Sequence, residues 1–233
     1  MNIIDLHNSV AEAYDEVSYF YEKRKWYNIW LKYELVYVQN VIKKYCSNRD
    51  SKILDIGCGT GDYLESLLVD NYINLVGVDI SKAMLKKAML KLNDSLKNGF
   101  CSLFCSDILK ISDYCNSFDF IYSIRTFSHI FEKVLAIKEI NQLLKYNGYF
   151  LLIDIHHSHD KKVAMSYNNI WKPIPTAEYL SREQYNSLLS TFGFNEILYK
   201  EFSINSDGNF EWNEKSDFYN DPILFMSLYK KLI

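Results

Sequence analysis

Three glycines separated by single residues, Gly57, Gly59 and Gly61, stand directly after a short apolar run over residues 53–56. Such a run is suited to a buried parallel strand, and glycine is favoured where the chain then turns sharply and approaches a ligand closely. A helix is expected to begin near Thr60, so its free N–H groups and the positive end of its dipole should face the same place. The stretch therefore predicts a turn that holds a nucleotide-like ligand.

Two carboxylates extend this pattern. Asp55 lies two residues before the first glycine, and Asp79 ends a second apolar run over residues 73–79. A carboxylate beside the turn is unfavourable near a pyrophosphate but suits a ligand that carries an ammonium and a sulfonium. In Rossmann-like folds, an acid at the end of the second strand accepts hydrogen bonds from both ribose hydroxyls. The dinucleotide pattern G-x-G-x-x-G is not met, because Asp62 takes the place of the last glycine and Gly61 comes one residue early.

Residues 55–61, Asp-Ile-Gly-Cys-Gly-Thr-Gly, closely resemble the first motif of the class I S-adenosylmethionine (SAM) dependent methyltransferases. Two further segments are similar to that family: residues 106–108 after the third strand, and residues 143–149, where the family commonly has Leu-Lys-Pro-Gly-Gly. The resemblance implies SAM as cofactor and S-adenosylhomocysteine as product.

The resemblance also implies a role for several residues. Asp107 should meet the adenine amino group, while the backbone of Ile124 and Arg125 should face the cofactor's amino group. Either Arg125 or His129 should face the acceptor. Ile80 and Met84 could flank the adenine ring, although ordinary core packing explains them equally well. The complete set of expected cofactor-binding residues is Tyr14, Tyr19, Arg24, Asp55, Gly57, Cys58, Gly59, Thr60, Gly61, Asp79, Ile80, Met84, Ser106, Asp107, Ile108, Ile124 and Arg125.

Residues 1–48 precede the first strand and show two helical patterns. In small-molecule methyltransferases such a segment often folds over the cofactor as a lid, with a Tyr-Asp pair, a later Tyr and an Arg near the cofactor's carboxylate. Tyr14-Asp15, Tyr19 and Arg24 resemble that set, and Arg24 would be the carboxylate partner. The alternative is an amphipathic helix packed on the sheet, with Arg24 in solvent.

Histidines supply the candidates for a general base. His129 follows the fourth strand, where the acceptor should lie, although it could instead be a packing residue at a helix start. His156 and His157 follow the fifth strand. Three explanations remain for this second group: a general base, a polar loop, or a divalent metal held with His159 and a neighbouring Asp. We expect no resident metal, because side chains along one strand alternate faces and cannot all converge.

Composition limits the possible partners. The chain has 233 residues, a net charge of -3 and a pI near 6.0, so it shows no electrostatic footprint for nucleic acid or an anionic membrane. The five cysteines are expected to be reduced thiols. No apolar stretch approaches 18 residues, which favours a soluble, cytoplasmic protein without a membrane partner. A monomer or a homodimer is expected.

We expect one α/β domain over residues 1–233: a Rossmann-like, seven-stranded, mostly parallel sheet of order 3-2-1-4-5-7-6, flanked by helices. Residues 156–180 would form an insert that covers the substrate, and the polar segment 205–220 would connect the last two strands. Ser81 and Ser181 are expected to cap helices. The predicted strands are 53–56, 73–79, 100–106, 117–123, 149–155, 194–203 and 222–232, and the main helices of the sheet region are 60–69, 81–97, 131–146 and 181–191.

These observations favour a SAM-dependent methyltransferase that transfers a methyl group to an O, N or C atom of a small molecule. Residues 123–126, Ser-Ile-Arg-Thr, do not resemble the Asn-Pro-Pro-Tyr type motif of enzymes that methylate nucleic-acid or glutamine nitrogens, and there is no basic RNA-binding appendage. Two alternatives stay open, a nicotinamide-dependent oxidoreductase and a non-catalytic SAM-binding protein.

Overall fold

A computed structural model describes residues 3–23, 25–111, 114–156, 179–204, 210–213 and 223–232. Within these residues, eight strands form a single sheet in the order β3-β2-β1-β4-β5-β8-β6-β7. The first five are parallel to one another, whereas β8 runs antiparallel to β5 and β6, and β7 runs antiparallel to β6. The strands are β1 Ile53–Ile56, β2 Leu75–Asp79, β3 Cys101–Cys105, β4 Phe118–Ile124, β5 Leu144–Ile155, β6 Phe194–Ile204, β7 Phe210–Asn213 and β8 Leu224–Lys231.

The expected strand order is confirmed, but the expected number of strands was one too low. The additional strand, β7, lies within the segment that was predicted to be a polar connection, and it pairs with residues 201–204 of β6. Trp212 holds it in place by stacking on Tyr37 at 5.3 Å between ring centroids and by packing on Phe202 at 5.0 Å. Four residues are too few for alternation of apolar and polar side chains to stand out in a sequence.

Helices cover both faces of the sheet. Two differ from expectation by more than a shift of one or two residues at their ends: the helix predicted over 81–97 is interrupted at Leu92, and the one predicted over 131–146 ends at Leu143 because β5 begins at the next residue. A six-residue π-helix, Trp30–Leu35, lies between two α-helices near the N-terminus. The α-helices are α1 Ile3–Tyr21, α2 Lys25–Ile29, α3 Val36–Tyr45, α4 Asp62–Val69, α5 Lys82–Lys91, α6 Asn93–Lys97, α7 Lys133–Leu143 and α8 Arg182–Ser190.

Strand β1 lies at the centre of the hydrophobic core, and all four of its residues are buried. Ile53 packs in the cluster that contains α3 and α4, whereas Leu54 and Ile56 pack in the opposite cluster with α7. Because successive side chains of a strand point to opposite faces, a strand buried on both faces is apolar throughout. Asp55 is the exception, and it lies near the carboxyl end of the strand.

Helix α1 is attached to the start of α5. Asp15 Oδ1 accepts hydrogen bonds from Ser81 Oγ at 2.6 Å and from the Ala83 N–H at 2.9 Å. Just past the end of α1, Glu22 forms an ion pair with Lys87 at 2.8 Å. The N-terminal helix therefore lies against the edge of the sheet where β2 ends.

No helix in the described ranges is both long enough and apolar enough to cross a membrane. Nearly all of the predicted substrate-covering insert, residues 157–178, lies outside the described residues.

Candidate functional site

The glycine turn after β1 is tied to the neighbouring strand β2. Gly57 and Cys58 both donate their N–H groups to the Val78 carbonyl, at 2.8 and 3.1 Å. The three glycines have φ values of 75°, 53° and 82°, in the left-handed region that glycine tolerates best. The turn then leads directly into α4, which begins at Asp62. The sequence therefore predicted both the strand and the turn correctly.

The first two glycines of the turn differ in what surrounds them. A Cβ atom on Gly57 would lie 2.1 Å from Thr126 Oγ1, because the turn presses against the segment after β4. A Cβ atom on Gly59 would meet no atom within 4 Å in the described structure. Gly57 is therefore required by packing inside the protein, whereas Gly59 leaves room beside the turn for a ligand.

Asp79 joins the turn to the start of α5. Its Oδ2 accepts the Gly59 N–H at 2.8 Å, and its Oδ1 accepts the Ser81 N–H at 2.8 Å. Burial raises the pKa of Asp79, and the two N–H groups oppose that rise because they stabilise the charged form. Ser81 caps α5 as predicted, since its Oγ accepts the Met84 N–H. Each carboxylate oxygen has two lone pairs, so Asp79 can still accept hydrogen bonds from a diol.

Asp55 is a buried acid with unmet hydrogen-bonding capacity. It is 2% exposed, and its Oδ2 has no hydrogen-bond partner among the described residues. Burial raises the pKa of Asp55 well above its usual value, and the charges of Asp79 and Asp62 raise it further, whereas the nearby Tyr122 hydroxyl lowers it. A cation placed beside this carboxylate would stabilise its charged form against burial and against the neighbouring negative charges.

A pocket of about 50 Å³ lies over the turn. This volume holds a few water molecules, whereas pockets for drug-sized ligands are roughly 300 Å³ or larger. Side chains of the N-terminal helices form one wall, so this wall must separate from the turn before a cofactor-sized ligand can enter. The lining residues are Tyr21, Tyr27, Trp30, Leu31, Asp55, Gly57, Cys58, Gly59, Thr60, Asp62, Tyr63, Ile124 and Arg125.

Asp62 is a site residue whose role the sequence did not indicate. It accepts hydrogen bonds from Thr60 Oγ1 and Tyr27 OH, both at 2.7 Å, and forms an ion pair with Lys91. Although burial opposes it, these three donors lower the pKa of Asp62. The carboxylate joins the N-terminal helices, the turn and α5.

Glu34 was missed in the same way. It lies in the π-helix, is fully buried, and its Oε1 accepts hydrogen bonds from Arg125 Nη1 and Tyr63 OH. The Arg125 guanidinium also packs over the Trp30 ring, 4.9 Å from its centroid. Burial disfavours the charged guanidinium, but Glu34 outweighs it and raises the pKa of Arg125. Three separate segments are thereby joined at the pocket.

The acid after β3 is engaged by helix α1. Asp107 Oδ1 accepts the Leu109 N–H at 3.0 Å, and Oδ2 lies 2.6 Å from Nδ1 of His7. The second ring nitrogen of His7 lies 3.1 Å from Glu132. His7 thus contacts the carboxylate to which the family resemblance assigns the adenine amino group.

The candidate bases have different surroundings. His129 lies just past β4, and its Nε2 hydrogen-bonds with Tyr14 OH at 2.9 Å. His156 is buried after β5, with Nε2 3.9 Å from Glu201 Oε1. His157 lies outside the described residues. Within those residues, no three His, Cys, Asp or Glu side chains are grouped so that they could hold a metal ion.

The remaining expected cofactor residues are spread over several environments. Tyr19 is 65% exposed and packs on Phe20, so the structure does not bring it to the pocket. Arg24 lies outside the described residues. Ile80 and Ser106 are half-buried beside Asp79 and Asp107, while Met84 and Ile108 are buried. Cofactor contacts by these residues stay predictions.

Substitution of the two glycines should separate packing from ligand space. Gly57→Ala should lower the free energy of unfolding by about 3 kcal/mol, because the new methyl group overlaps Thr126 and the backbone is left-handed. Gly59→Ala should cost only about 1 kcal/mol, since it carries the backbone cost without the overlap. Urea denaturation of both variants measures the difference, and equal losses would contradict this assignment.

Asp154, near the end of β5, makes stability depend on pH. It is buried and accepts the N–H groups of Ser128 at 2.5 Å and Ile155 at 2.8 Å, and burial raises its pKa to about 6. The folded protein binds the proton of the Asp154 carboxyl group more tightly than the unfolded chain does. The stabilisation that results is fully present below about pH 4 and is lost as the pH rises through about 6. The loss should reach about 3 kcal/mol.

This dependence can be tested by denaturation between pH 4 and 7. Asp154→Asn should reduce the slope of the free energy of unfolding against pH, leaving the part that comes from Asp55 and Asp79, whose pKa values are also raised. It also removes one of two acceptor oxygens and so lowers stability at every pH. Asp94→Asn, at an exposed carboxylate, serves as the control and should keep the wild-type slope. A wild-type slope in Asp154→Asn would show that another group titrates.

Comparison with known proteins agrees with this geometry. Residues 54–152 match the family described as "Methyltransferase domain". The chain is 26% identical over 146 residues to 2-methyl-6-phytyl-1,4-hydroquinone methyltransferase of Synechocystis sp., covering 63% of this chain and 44% of that protein. It is 27% identical over 148 residues to an O-methyltransferase of Penicillium expansum, covering 62% and 52%. The chain therefore spans about half the length of these curated relatives.

Solved structures share the fold. A SAM-dependent methyltransferase from Methanosarcina mazei superposes with a TM-score of 0.64 at 19% identity, covering 83% of this chain and 97% of that one. One from Aquifex aeolicus gives a TM-score of 0.59 at 20% identity, with 83% and 89% covered. The chain therefore has the fold of these SAM-dependent methyltransferases, and residues 54–152 match the methyltransferase-domain family.

Proposed function

We propose that this protein transfers a methyl group from SAM to an O, N or C atom of a small-molecule acceptor and releases S-adenosylhomocysteine. The observation that carries the proposal is the Asp55 carboxylate, which is buried at the pocket and has an unpartnered oxygen among the described residues. A ligand with an ammonium group next to a sulfonium supplies the cation that this acid lacks. The adjacent Asp79 keeps lone pairs for a ribose diol.

The residues present fit the cofactor. Gly59 provides open space beside the turn, and Asp55 and Asp79 provide acceptors at two points along the same edge of the sheet. When bound, SAM supplies an electrophilic methyl group, and its transfer is an in-line displacement that needs little covalent help. The protein's work is therefore to hold the reactants in line, exclude water and, for some acceptors, remove a proton.

His129 is the best-placed candidate for the base that removes a proton from the acceptor. It follows β4, at the crossover in the strand order where ligands collect in open α/β sheets. The 2.9 Å hydrogen bond to Tyr14 fixes the orientation of the ring and links it to helix α1. Closing α1 over the sheet would therefore exclude water and position the base together.

We also propose that residues 1–233 form one domain in which residues 1–48 act as a lid. In support of this, α1 contacts residues after β2, β3 and β4 through Asp15, His7 and Tyr14. The proposed partner is a small molecule, with neither nucleic acid nor membrane involved, and the protein would be a monomer or a homodimer.

A nicotinamide-dependent oxidoreductase is the first alternative. It would place a pyrophosphate beside the buried Asp55 carboxylate, where like charges repel. A non-catalytic SAM-binding protein is the second alternative, and it would bind the same ligand without turnover.

Calorimetry with S-adenosylhomocysteine tests the cofactor site. We expect binding in the micromolar range for the wild type, and a loss of about 100-fold in Asp79→Ala, because a charged acceptor for two hydroxyl groups is removed. Asp94→Ala, at an exposed carboxylate, is the control and should bind like the wild type. Binding of NADH in place of S-adenosylhomocysteine would favour the oxidoreductase.

The catalytic assignment needs an acceptor, which a mass-spectrometric search for products heavier by one methylene unit in cell extract would identify. With that acceptor, His129→Ala should lower kcat by about 100-fold or more while leaving affinity for S-adenosylhomocysteine within about twofold. Tyr14→Phe should lower kcat less, because it disturbs only the orientation of the ring. A large loss in His156→Ala with normal turnover in His129→Ala would assign the base to the other histidine.

A further inference from the structure

We propose that the Arg125 guanidinium, positioned by Glu34, binds the α-carboxylate of the cofactor's methionine end. The pocket would then recognise a complete amino-acid zwitterion, with Asp55 taking the ammonium and Arg125 the carboxylate. This inference rests on the proposed function, because it assigns a contact to the same cofactor.

The pocket wall carries both an acidic and a basic residue. Asp55 and Arg125 both line the pocket, together with the glycine turn. An α-amino acid carries a cation and an anion on neighbouring atoms, so the matching site needs one acid and one base near each other. Arg125 is a suitable base, since the planar guanidinium donates two parallel hydrogen bonds to a carboxylate.

Arg125 is held in a defined orientation. Its backbone has a φ of 53°, and its N–H donates to the Ile153 carbonyl at 2.7 Å. Its guanidinium packs over Trp30 at 4.9 Å from the ring centroid. A non-glycine residue in the left-handed region is uncommon and persists only where its surroundings hold it there. The side chain is therefore fixed at both its backbone and its charged end.

We assign Glu34 as the residue that positions the Arg125 guanidinium. This fully buried carboxylate accepts from Arg125 through one oxygen, Oε1, which also accepts from Tyr63 OH. A guanidinium has five N–H donors, so one bond to Glu34 leaves others for a ligand. Glu34 Oε2 has no partner among the described residues, which leaves it able to accept another donor.

This assignment differs from the one that the sequence suggested. Arg24 was expected to bind the carboxylate through a loose resemblance in the N-terminal segment. Arg125 was expected to offer its backbone to the cofactor's amino group, and either Arg125 or His129 was expected to face the acceptor. The structure places the Arg125 side chain in the pocket wall.

The test removes the carboxylate from the ligand and the guanidinium from the protein in turn. Calorimetry compares S-adenosylhomocysteine with its decarboxylated analogue, 5′-(3-aminopropylthio)-5′-deoxyadenosine. The wild type should prefer S-adenosylhomocysteine by roughly 10- to 100-fold, the range expected for a charge-assisted hydrogen bond. The double variant Glu34→Gln/Arg125→Gln should reduce that preference to about threefold or less, with affinity for the analogue within about twofold.

The double variant leaves no buried charge without a partner, because both members of the ion pair become amides of similar size. Glu34→Gln alone keeps the guanidinium and should lose only part of the preference. Arg182→Gln, at an exposed arginine that is ion-paired with Glu196, is the matched control and should keep it fully. If the double variant does not fold, Glu34→Met/Arg125→Met, which replaces the ion pair by apolar side chains and also removes the positive charge, provides the same comparison.

Each outcome has a separate meaning. If the wild type binds neither ligand, the proposed function fails. If the wild type binds both and the double variant keeps the full preference for S-adenosylhomocysteine, the cofactor site stands and the role of Arg125 is overturned. Loss of the preference in Arg24→Gln but not in the double variant would assign the carboxylate to Arg24.

Discussion

The hydrogen bond from the Gly59 N–H to Asp79 Oδ2 joins the ends of two neighbouring parallel strands. The register of β1 against β2, in which Ile53 lies opposite Leu75, sets how far the glycine turn projects and so brings its N–H group to the carboxylate. The other oxygen of Asp79 accepts the N–H of Ser81, the residue that caps α5, and the Ser81 hydroxyl in turn donates to Asp15 of α1. One carboxylate thus fixes the turn, the start of a helix and, through Ser81, the position of the N-terminal segment.

The acids along this edge of the sheet, Asp55, Asp62 and Asp79, are all at least partly buried but differ in the donors that reach them. Asp62 receives two hydroxyl groups and an ammonium, and these keep its pKa low despite burial. Asp79 receives two backbone N–H groups, which only partly offset burial. Asp55 keeps an unpartnered oxygen among the described residues, and burial raises its pKa the furthest of the three. Of these three acids, Asp55 beside the turn is therefore the one whose charged form lacks the most stabilisation.

Local patterns in the sequence predicted individual elements of the central part of this structure. The strand before the glycines and the caps at Ser81 and Ser181 depend on residues a few positions apart, whereas the order of the first five strands was implied by the family resemblance. The contacts that were missed join residues far apart in the chain: Glu34 and Arg125 are separated by 91 positions, and no local periodicity marks them as partners. The strand β7 was missed for a different reason, since Trp212 identifies it only by packing on Phe202 and Tyr37. The sequence thus predicts the parallel half of the sheet better than the pocket wall.

Helix α1 meets the rest of the protein mainly through polar groups. His7, Tyr14 and Asp15 contact residues that follow the strands of the sheet, and their spacing of seven or eight residues puts them along one side of the helix with the buried Val10 and Val17. Glu22, just past the end of the helix, contacts α5. Water can satisfy these polar groups once they are released, so their loss costs little free energy beside the burial of Val10 and Val17. The contact of Glu22 with Lys87 is an ion pair, which dissolved salt screens, whereas the strands of the sheet are held by hydrogen bonds and apolar packing. The attachment of α1 should therefore weaken with ionic strength while the sheet beneath it does not.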